Sequence, residues 1–113
     1  MVIAQIETER GLDQVEKIAA VDGIDVLWVG HFDLSNFMGI PGQFTDPRFD
    51  AAMRKVVDVC RRHGKAAGFM ATDAGWITRA REMGYTMIAG GTDTGLLELA
   101  LKNMVVQIQE GNR

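Results

Sequence analysis

Four short apolar runs, rich in β-branched and small residues, alternate along this sequence with segments of helical periodicity. The runs predict buried strands, and they are Val2 to Ile6, Val26 to Val29, Ala66 to Met70 and Met87 to Ala89. Strict alternation of strands with helices predicts a parallel sheet joined by right-handed crossovers. We therefore expect an α/β protein, either an open doubly wound sheet or an arc of a (β/α)8 barrel.

The segments between and after the runs repeat apolar residues every three or four positions, which predicts amphipathic helices. The four sets are Leu12, Val15, Ile18 and Ala19; Phe49, Met53, Val56 and Cys60; Trp76, Ile77, Ala80 and Met83; and Leu97, Leu101, Met104, Val105 and Ile108. Asp46 followed by Pro47 predicts a helix start, and Gly64 and Gly84 lie where helices should end.

The length limits which of the two architectures this chain can complete. A closed barrel typically needs about 250 residues, against 113 here, so four strand–helix units would form half of one. We expect residues 1–113 to form a single unit, equal in size to half of such a barrel.

The charge balance and the apolar runs argue against nucleic acid and membranes as partners. Twelve basic and fifteen acidic residues give a net charge of −3, with no basic block to bind a phosphate backbone. The apolar runs are far shorter than the roughly 20 residues of a membrane helix, and the N-terminus lacks signal-peptide features. We expect a cytoplasmic protein, with the lone Cys60 as a core residue.

Carboxylates follow all four predicted strands, at the ends where parallel α/β folds bind their ligands. Glu7 and Asp33 are candidates to share a cation, because neighbouring strands lie about 4.8 Å apart. Two hard oxygen ligands suit Mg²⁺ or Mn²⁺ and leave positions open for a chelating substrate. The alternative is that Glu7 and Asp33 merely cap the helices that follow.

Five motifs, taken in order along the sequence, resemble those of the HpcH/HpaI aldolase family, and they cover nearly the whole chain. They are Gln5-Ile6-Glu7-Thr8, Gly30-His31-Phe32-Asp33-Leu34-Ser35, Met38-Gly39-Ile40-Pro41-Gly42, Lys65-Ala66-Ala67-Gly68 and Gly90-Gly91-Thr92-Asp93. The resemblance implies the C-terminal half of a (β/α)8 TIM barrel. It also implies a class II aldolase, a metal-dependent lyase that reversibly cleaves a 4-hydroxy-2-oxo acid to pyruvate or a related 2-oxo acid plus an aldehyde.

The resemblance also implies roles for individual residues. Glu7 and Asp33 would ligate Mg²⁺ or Mn²⁺, with Co²⁺ as a further candidate, and the ion would stabilise an enolate as a Lewis acid. Gln5 would hold a metal-bound water or substrate oxygen, unless it is a sheet-buried glutamine bonded to the backbone. The amides of Phe32 and Asp33 would bind the substrate carboxylate at the start of a helix or turn. Met70 would contact the substrate, unless it fills the barrel core.

One departure from the family pattern concerns His31 and Phe32, where many members carry Pro and Ala, and it leaves the substrate preference open. His31 is a candidate acid or base, since imidazole titrates near neutrality, or else it shapes the loop. Asp73 and Asp93 are interpreted as N-caps, and His63 as a cap at a helix C-terminus. Gly90 and Gly91 are interpreted as packing clearance rather than as a phosphate site.

The acid–base histidine and arginine of the resembled family belong to the first half of the barrel. We therefore expect the isolated chain to be inactive, with that N-terminal half, a 2-oxo acid and an aldehyde as its partners. A homo-oligomer is also implied, because the last helix of the family packs against a neighbouring subunit. For this helix, the alternative is that it folds back on the chain's own strands. The alternatives are a CoA-thioester lyase like the citrate lyase β-subunit, and an inactive truncated half-barrel.

Overall fold

The computed structural model describes residues 1–111 and contains one sheet of four parallel strands in the order β1-β2-β3-β4. Helices alternate with the strands, as the sequence predicts. The elements are β1 (Ile3–Ile6), α1 (Glu9–Asp13), α2 (Val15–Ala19), β2 (Val26–Val29), α3 (His31–Phe37), α4 (Pro47–His63), β3 (Ala66–Ala71), α5 (Ala74–Met83), β4 (Met87–Gly90) and α6 (Asp93–Glu110).

The core lies between one face of the sheet and the helices that pack on it. Leu27 and Val29 of β2 and Phe69 of β3 are fully buried, and they belong to the same apolar cluster as Phe49 and Met53 of α4. Because successive strand residues point to opposite faces, the residues that alternate with these core residues project from the other face of the sheet. That second face would line the interior of a barrel.

On this second face, the indole ring of Trp28 occupies the space beside Gly68, which has no side chain. Trp28 is paired with Gly68 in the β2–β3 register, and a Cβ on Gly68 would lie 2.5 Å from the Trp28 ring and 2.9 Å from Val26 Cγ1. No side chain fits at position 68 unless the indole moves. Trp28 therefore covers part of this face.

The predicted helix ends are mostly confirmed. Asp46 accepts a hydrogen bond from the Arg48 amide with Pro47 in the first turn, and Gly64 and Gly84 end α4 and α5 in the left-handed conformation that glycine favours. Asp73 caps α5 through the Trp76 amide at 2.9 Å.

Four local expectations need correction. The segment from Leu12 to Ala19 is not one helix, because α1 and α2 meet at Gln14. The N-cap of α6 is Thr92, which accepts from the Gly95 amide, and Asp93 is the first helical residue. His63 binds a side chain rather than capping α4, since its Nε2 lies 2.8 Å from Glu16 Oε1. Helix α3 has no counterpart among the predicted apolar sets.

Helix α6 stands away from the rest of the molecule. All its residues are exposed, including the predicted stripe of Leu97, Leu101, Met104, Val105 and Ile108. The alternative that this stripe folds back on the chain's own strands is therefore wrong. Within residues 1–111, no helix is long and apolar enough to cross a membrane.

Candidate active site

A row of four residues crosses the carboxyl edge of the sheet. Ile6 pairs with Val29, and the Gly30 amide donates to the Ile6 carbonyl at 3.1 Å, so the next pair is Glu7 with Gly30. The registers of β2 with β3 and of β3 with β4 extend this row through Met70 to Ala89. The row lies two residues beyond Trp28, on the same face of the sheet.

Gly30 makes room in this row for the two polar side chains of β1. A Cβ on Gly30 would lie 2.7 Å from Gln5 Nε2 and 2.9 Å from Glu7 Oε2, closer than real Cβ contacts. Gln5 is exposed, and its Nε2 donates to Glu7 Oε2 at 2.5 Å. The interpretation of Gln5 as a sheet-buried glutamine bonded to the backbone is therefore wrong, and its amide instead orients the carboxylate of Glu7.

Neither predicted metal ligand serves as a helix cap. Thr8, not Glu7, caps α1, because its hydroxyl accepts from the Gly11 amide at 3.0 Å. Gly30 is the N-cap of α3, and Asp33 is an exposed residue in the first turn of that helix. The capping alternative is thus wrong for Glu7, whereas Asp33 lies in the first turn of α3, where a carboxylate stabilises the helix dipole.

The first turn of α3 provides backbone donors beside Gly30. The first bond within the helix runs from the Leu34 amide to the Gly30 carbonyl at 2.9 Å. The amides of Phe32 and Asp33 precede it and have no acceptor inside the helix. Phe32 and Asp33 therefore lie at the start of a helix, where the unpaired amides favour an anion.

The carboxylates present suit a divalent ion that keeps part of its water shell. No three His, Cys, Asp or Glu side chains of residues 1–111 converge to hold a metal. Two carboxylates with open positions are nevertheless a usual environment for Mg²⁺, which is commonly bound through one or two acidic side chains plus waters and substrate. Glu7 and Asp33 share one edge of the sheet, and their convergence on one ion stays a prediction.

Ser35 fixes the first turn of α3 to the loop that follows this helix. Its buried hydroxyl donates to the Phe32 carbonyl at 2.7 Å and accepts from the Gly42 amide at 3.1 Å. Sequence reasoning missed both Ser35 and the clearance at Gly30. Once the β1–β2 register is known, a glycine opposite Glu7 is a usable signal, whereas the Ser35 contacts depend on the path of the loop.

His31 lies inside a cluster of aromatic rings. Its ring centroid is 4.4 Å from Phe32, 4.9 Å from Phe69 and 5.3 Å from Phe44, and only 6% of the residue is exposed. Burial lowers the pKa of this imidazole, so that the neutral form is favoured. This packing favours a structural role for His31 over that of an acid or base.

Met70 is half-buried. In the row across the sheet it follows Gly30, so that Gly30 lies between Glu7 and Met70. Met70 borders a cavity of about 230 Å³ between the ends of β3 and β4 and the start of α6. Whether Met70 contacts the substrate stays a prediction. A Cβ on Gly90 would meet no atom within 4 Å, so this glycine is not needed for packing clearance.

Two expectations about other residues are met. Cys60 is buried, and burial raises the pKa of its thiol, as expected for a core residue and not for a nucleophile. Asp73 is occupied as the cap of α5.

Four parallel βα units with polar residues gathered at the carboxyl edge define half of a (β/α)8 enzyme barrel. Residues 1–100 match the family model of the HpcH/HpaI aldolase/citrate lyases. The chain belongs to this family, as its motifs predict.

Three known proteins illustrate the similarity. A hydroxypyruvate/pyruvate aldolase of Chromohalobacter salexigens is 39% identical over 103 residues, which are 91% of this chain and 41% of that protein. The crystal structure of an HpcH/HpaI aldolase/citrate lyase family protein from Burkholderia cenocepacia has a TM-score of 0.87 at 35% identity, over 96% of this chain and 42% of its own. The citrate synthase SbnG has a TM-score of 0.81 at 29% identity, over 100% of this chain and 46% of its own. The chain thus spans about two fifths of these relatives' length.

Proposed function

We propose that this chain supplies the metal and oxo-acid half of a class II aldolase that reversibly cleaves a 4-hydroxy-2-oxo acid. The products would be pyruvate, or a related 2-oxo acid, and an aldehyde. The observation that carries the proposal is the Glu7 carboxylate, which Gln5 holds over the side-chain-free position of Gly30 at the carboxyl edge of the sheet. The similarity to an aldolase that acts on pyruvate supports the same reaction class.

The chain's own groups would bind and orient the oxo acid. Glu7 and Asp33 would hold Mg²⁺, Mn²⁺ or Co²⁺, and the bound ion would act as a Lewis acid toward the 2-oxo group. The amides of Phe32 and Asp33 would receive the carboxylate, and the Ser35 bond to the Phe32 carbonyl keeps that turn in place.

Cleavage also needs a base that this arrangement does not supply. The bond between C3 and C4 breaks and the C4 hydroxyl loses its proton to a base. The electron pair stays on C3 in conjugation with the 2-oxo group until C3 takes up a proton to give the 2-oxo acid. His31 is enclosed by aromatic rings. We infer that the base comes from outside residues 1–111, from the other half of the barrel.

A CoA-thioester substrate is the less favoured candidate. Such a ligand needs cationic groups for its phosphates, whereas the eight residues that line the cavity beside Met70 are all uncharged. The oxo acid needs only the ion and two amides.

The test is Mn²⁺ binding to the purified 113-residue chain, followed by electron paramagnetic resonance, with and without pyruvate. Glu7→Gln and Asp33→Asn should each weaken Mn²⁺ binding at least tenfold and abolish the spectral change caused by pyruvate. Glu9→Gln and Asp22→Asn remove exposed carboxylates elsewhere and should change neither. Equal Mn²⁺ affinity in all five proteins would refute the assignment. Metal binding without any response to pyruvate would favour the inactive half-barrel.

A further inference from the structure

The cavity beside Met70 lies next to the proposed metal position but is not part of it. In the row across the sheet, Gly30 separates Glu7 from Met70, and neighbouring strands are about 4.8 Å apart. An oxo acid chelated over Gly30 therefore has Met70 as its neighbour on the next strand. A chain growing from that oxo acid toward β4 would enter the cavity.

The residues around this cavity are uncharged. Its walls are the side chains of Met70, Leu96 and Leu99, the backbone of Gly90, and the threonines Thr72 and Thr92. None of its eight lining residues carries a charge. The cavity therefore suits an apolar chain with room for a hydroxyl group.

The charges nearest in sequence to this cavity are negative. Asp73 follows Thr72, and Asp93 follows Thr92, so a carboxylate comes directly after each lining threonine. The positive end of the α6 dipole is also already compensated, because Thr92 accepts from the Gly95 amide and Asp93 occupies the first turn. An anionic group in the cavity would therefore gain no ion pair from its lining residues.

We propose that this cavity binds the part of the substrate that comes from the aldehyde, and that it selects aldehydes with short uncharged chains over those ending in a carboxylate. This inference rests on the proposed function, since the oxo acid at Gly30 fixes where the chain begins. Leu96 and Leu99 would supply the wall farthest from the metal.

The experiment measures the affinity of the Mn²⁺-loaded 113-residue chain for 2-oxo acids by water-proton relaxation. Pyruvate, 2-oxopentanoate and 2-oxohexanoate form a series of increasing chain length, and 2-oxoadipate matches 2-oxohexanoate in length but ends in a carboxylate. Each methylene buried in the cavity should raise affinity about fourfold. We expect 2-oxohexanoate to bind at least tenfold tighter than pyruvate, and 2-oxoadipate to bind no tighter than pyruvate.

Adjacent leucines of α6 offer a matched pair of variants. Leu96 borders the cavity and Leu97 does not, and they are 54% and 62% exposed. Leu96→Ala should lower the ratio of 2-oxohexanoate to pyruvate affinity at least threefold, and Leu96→Lys should make 2-oxoadipate the tighter of the two six-carbon acids. Leu97→Ala and Leu97→Lys should leave both ratios unchanged.

The outcomes separate this inference from the proposal on which it rests. Equal affinity for all chain lengths, with Mn²⁺ and pyruvate bound, would overturn the cavity assignment alone. Tighter binding of 2-oxoadipate by the unmodified chain would overturn the choice of uncharged aldehydes. Absence of detectable Mn²⁺ or pyruvate binding to the unmodified chain would overturn the proposed function and this inference together.

Discussion

Gly30 matters at the residue scale because two candidate site residues, Gln5 and Glu7, occupy the space that its own side chain would need. Its φ of −83° is open to any residue, so the requirement for glycine is steric and not conformational. A methyl group there would displace the Gln5 amide or the Glu7 carboxylate.

We therefore expect Gly30→Ala to weaken Mn²⁺ binding about 10- to 100-fold, the usual effect of disturbing groups that orient a metal ligand. The free energy of unfolding should change little by comparison, because the displaced side chains are at the edge of the sheet. Gly90→Ala is the control, since its Cβ would meet no atom within 4 Å. Calorimetric titration that finds the same Mn²⁺ affinity in both variants would contradict the role given to Gly30.

The burial of His31 gives stability a pH dependence of known sign. Burial lowers the folded-state pKa below the usual value, so the unfolded chain binds the proton first as pH falls. Stability is then present above the unfolded pKa, near 6.5, and is lost as pH falls toward the folded pKa. Urea unfolding at pH 7.5 and pH 5.5 should show a larger loss for the unmodified chain than for His31→Phe. An equal loss in both proteins would show that His31 does not titrate with unfolding.

At the scale of elements, the apolar runs predict all four strands to within one residue at either end. It succeeds because parallel strands are buried and read as continuous apolar runs. Helix α3 escapes prediction since it has only seven residues, and its buried positions include His31 and Ser35 as well as Leu34. The candidate carboxylates Glu7 and Asp33 can be located from the sequence that follows each strand, but the clearance at Gly30 depends on the register between strands, which periodicity does not contain.

Ser35 joins the first turn of α3 to the loop at Gly42, and its removal should destabilise both. Ser35→Ala would leave the Phe32 carbonyl and the Gly42 amide without their side-chain partner, which should cost about 1 to 3 kcal/mol of unfolding free energy. The affinity of the Mn²⁺-loaded chain for pyruvate should also fall, because the same turn carries the Phe32 and Asp33 amides. Thr78→Ala is the control, since the Thr78 hydroxyl donates to the Ala74 carbonyl on the exposed face of α5. Denaturation that shows equal stability for the two variants would argue against this clamp.

At the scale of the whole molecule, α6 exposes a stripe that needs a covering surface. We expect the chain to associate through Leu101 and Met104, which are 54% and 57% exposed, because contiguous exposed apolar surface of this kind marks an interaction site. Light scattering should find an assembly larger than the monomer, and the double variant Leu101→Glu, Met104→Glu should dissociate it. Asn103→Glu with Gln107→Glu adds the same charge beside the stripe and should not. A monomeric unmodified chain at micromolar concentration would exclude this mode of association.

The last prediction concerns turnover by the chain alone. Metal and amides can hold an oxo acid, but cleavage also needs a positioned base, whose contribution is typically about 10²- to 10⁴-fold. Within the described residues, β1 and β4 also form the open edges of the sheet, which leaves the site without the rigid ring that holds catalytic groups in place. We expect residues 1–113 with Mn²⁺ to release little or no pyruvate from a 4-hydroxy-2-oxo acid. Co-expression with the N-terminal half of the Chromohalobacter salexigens aldolase should raise the rate at least 10²-fold, and Asp33→Asn should remove that gain. Pyruvate release by the chain alone at the rate measured with the added half would place the base within this chain, and His31 would then be the first residue to replace.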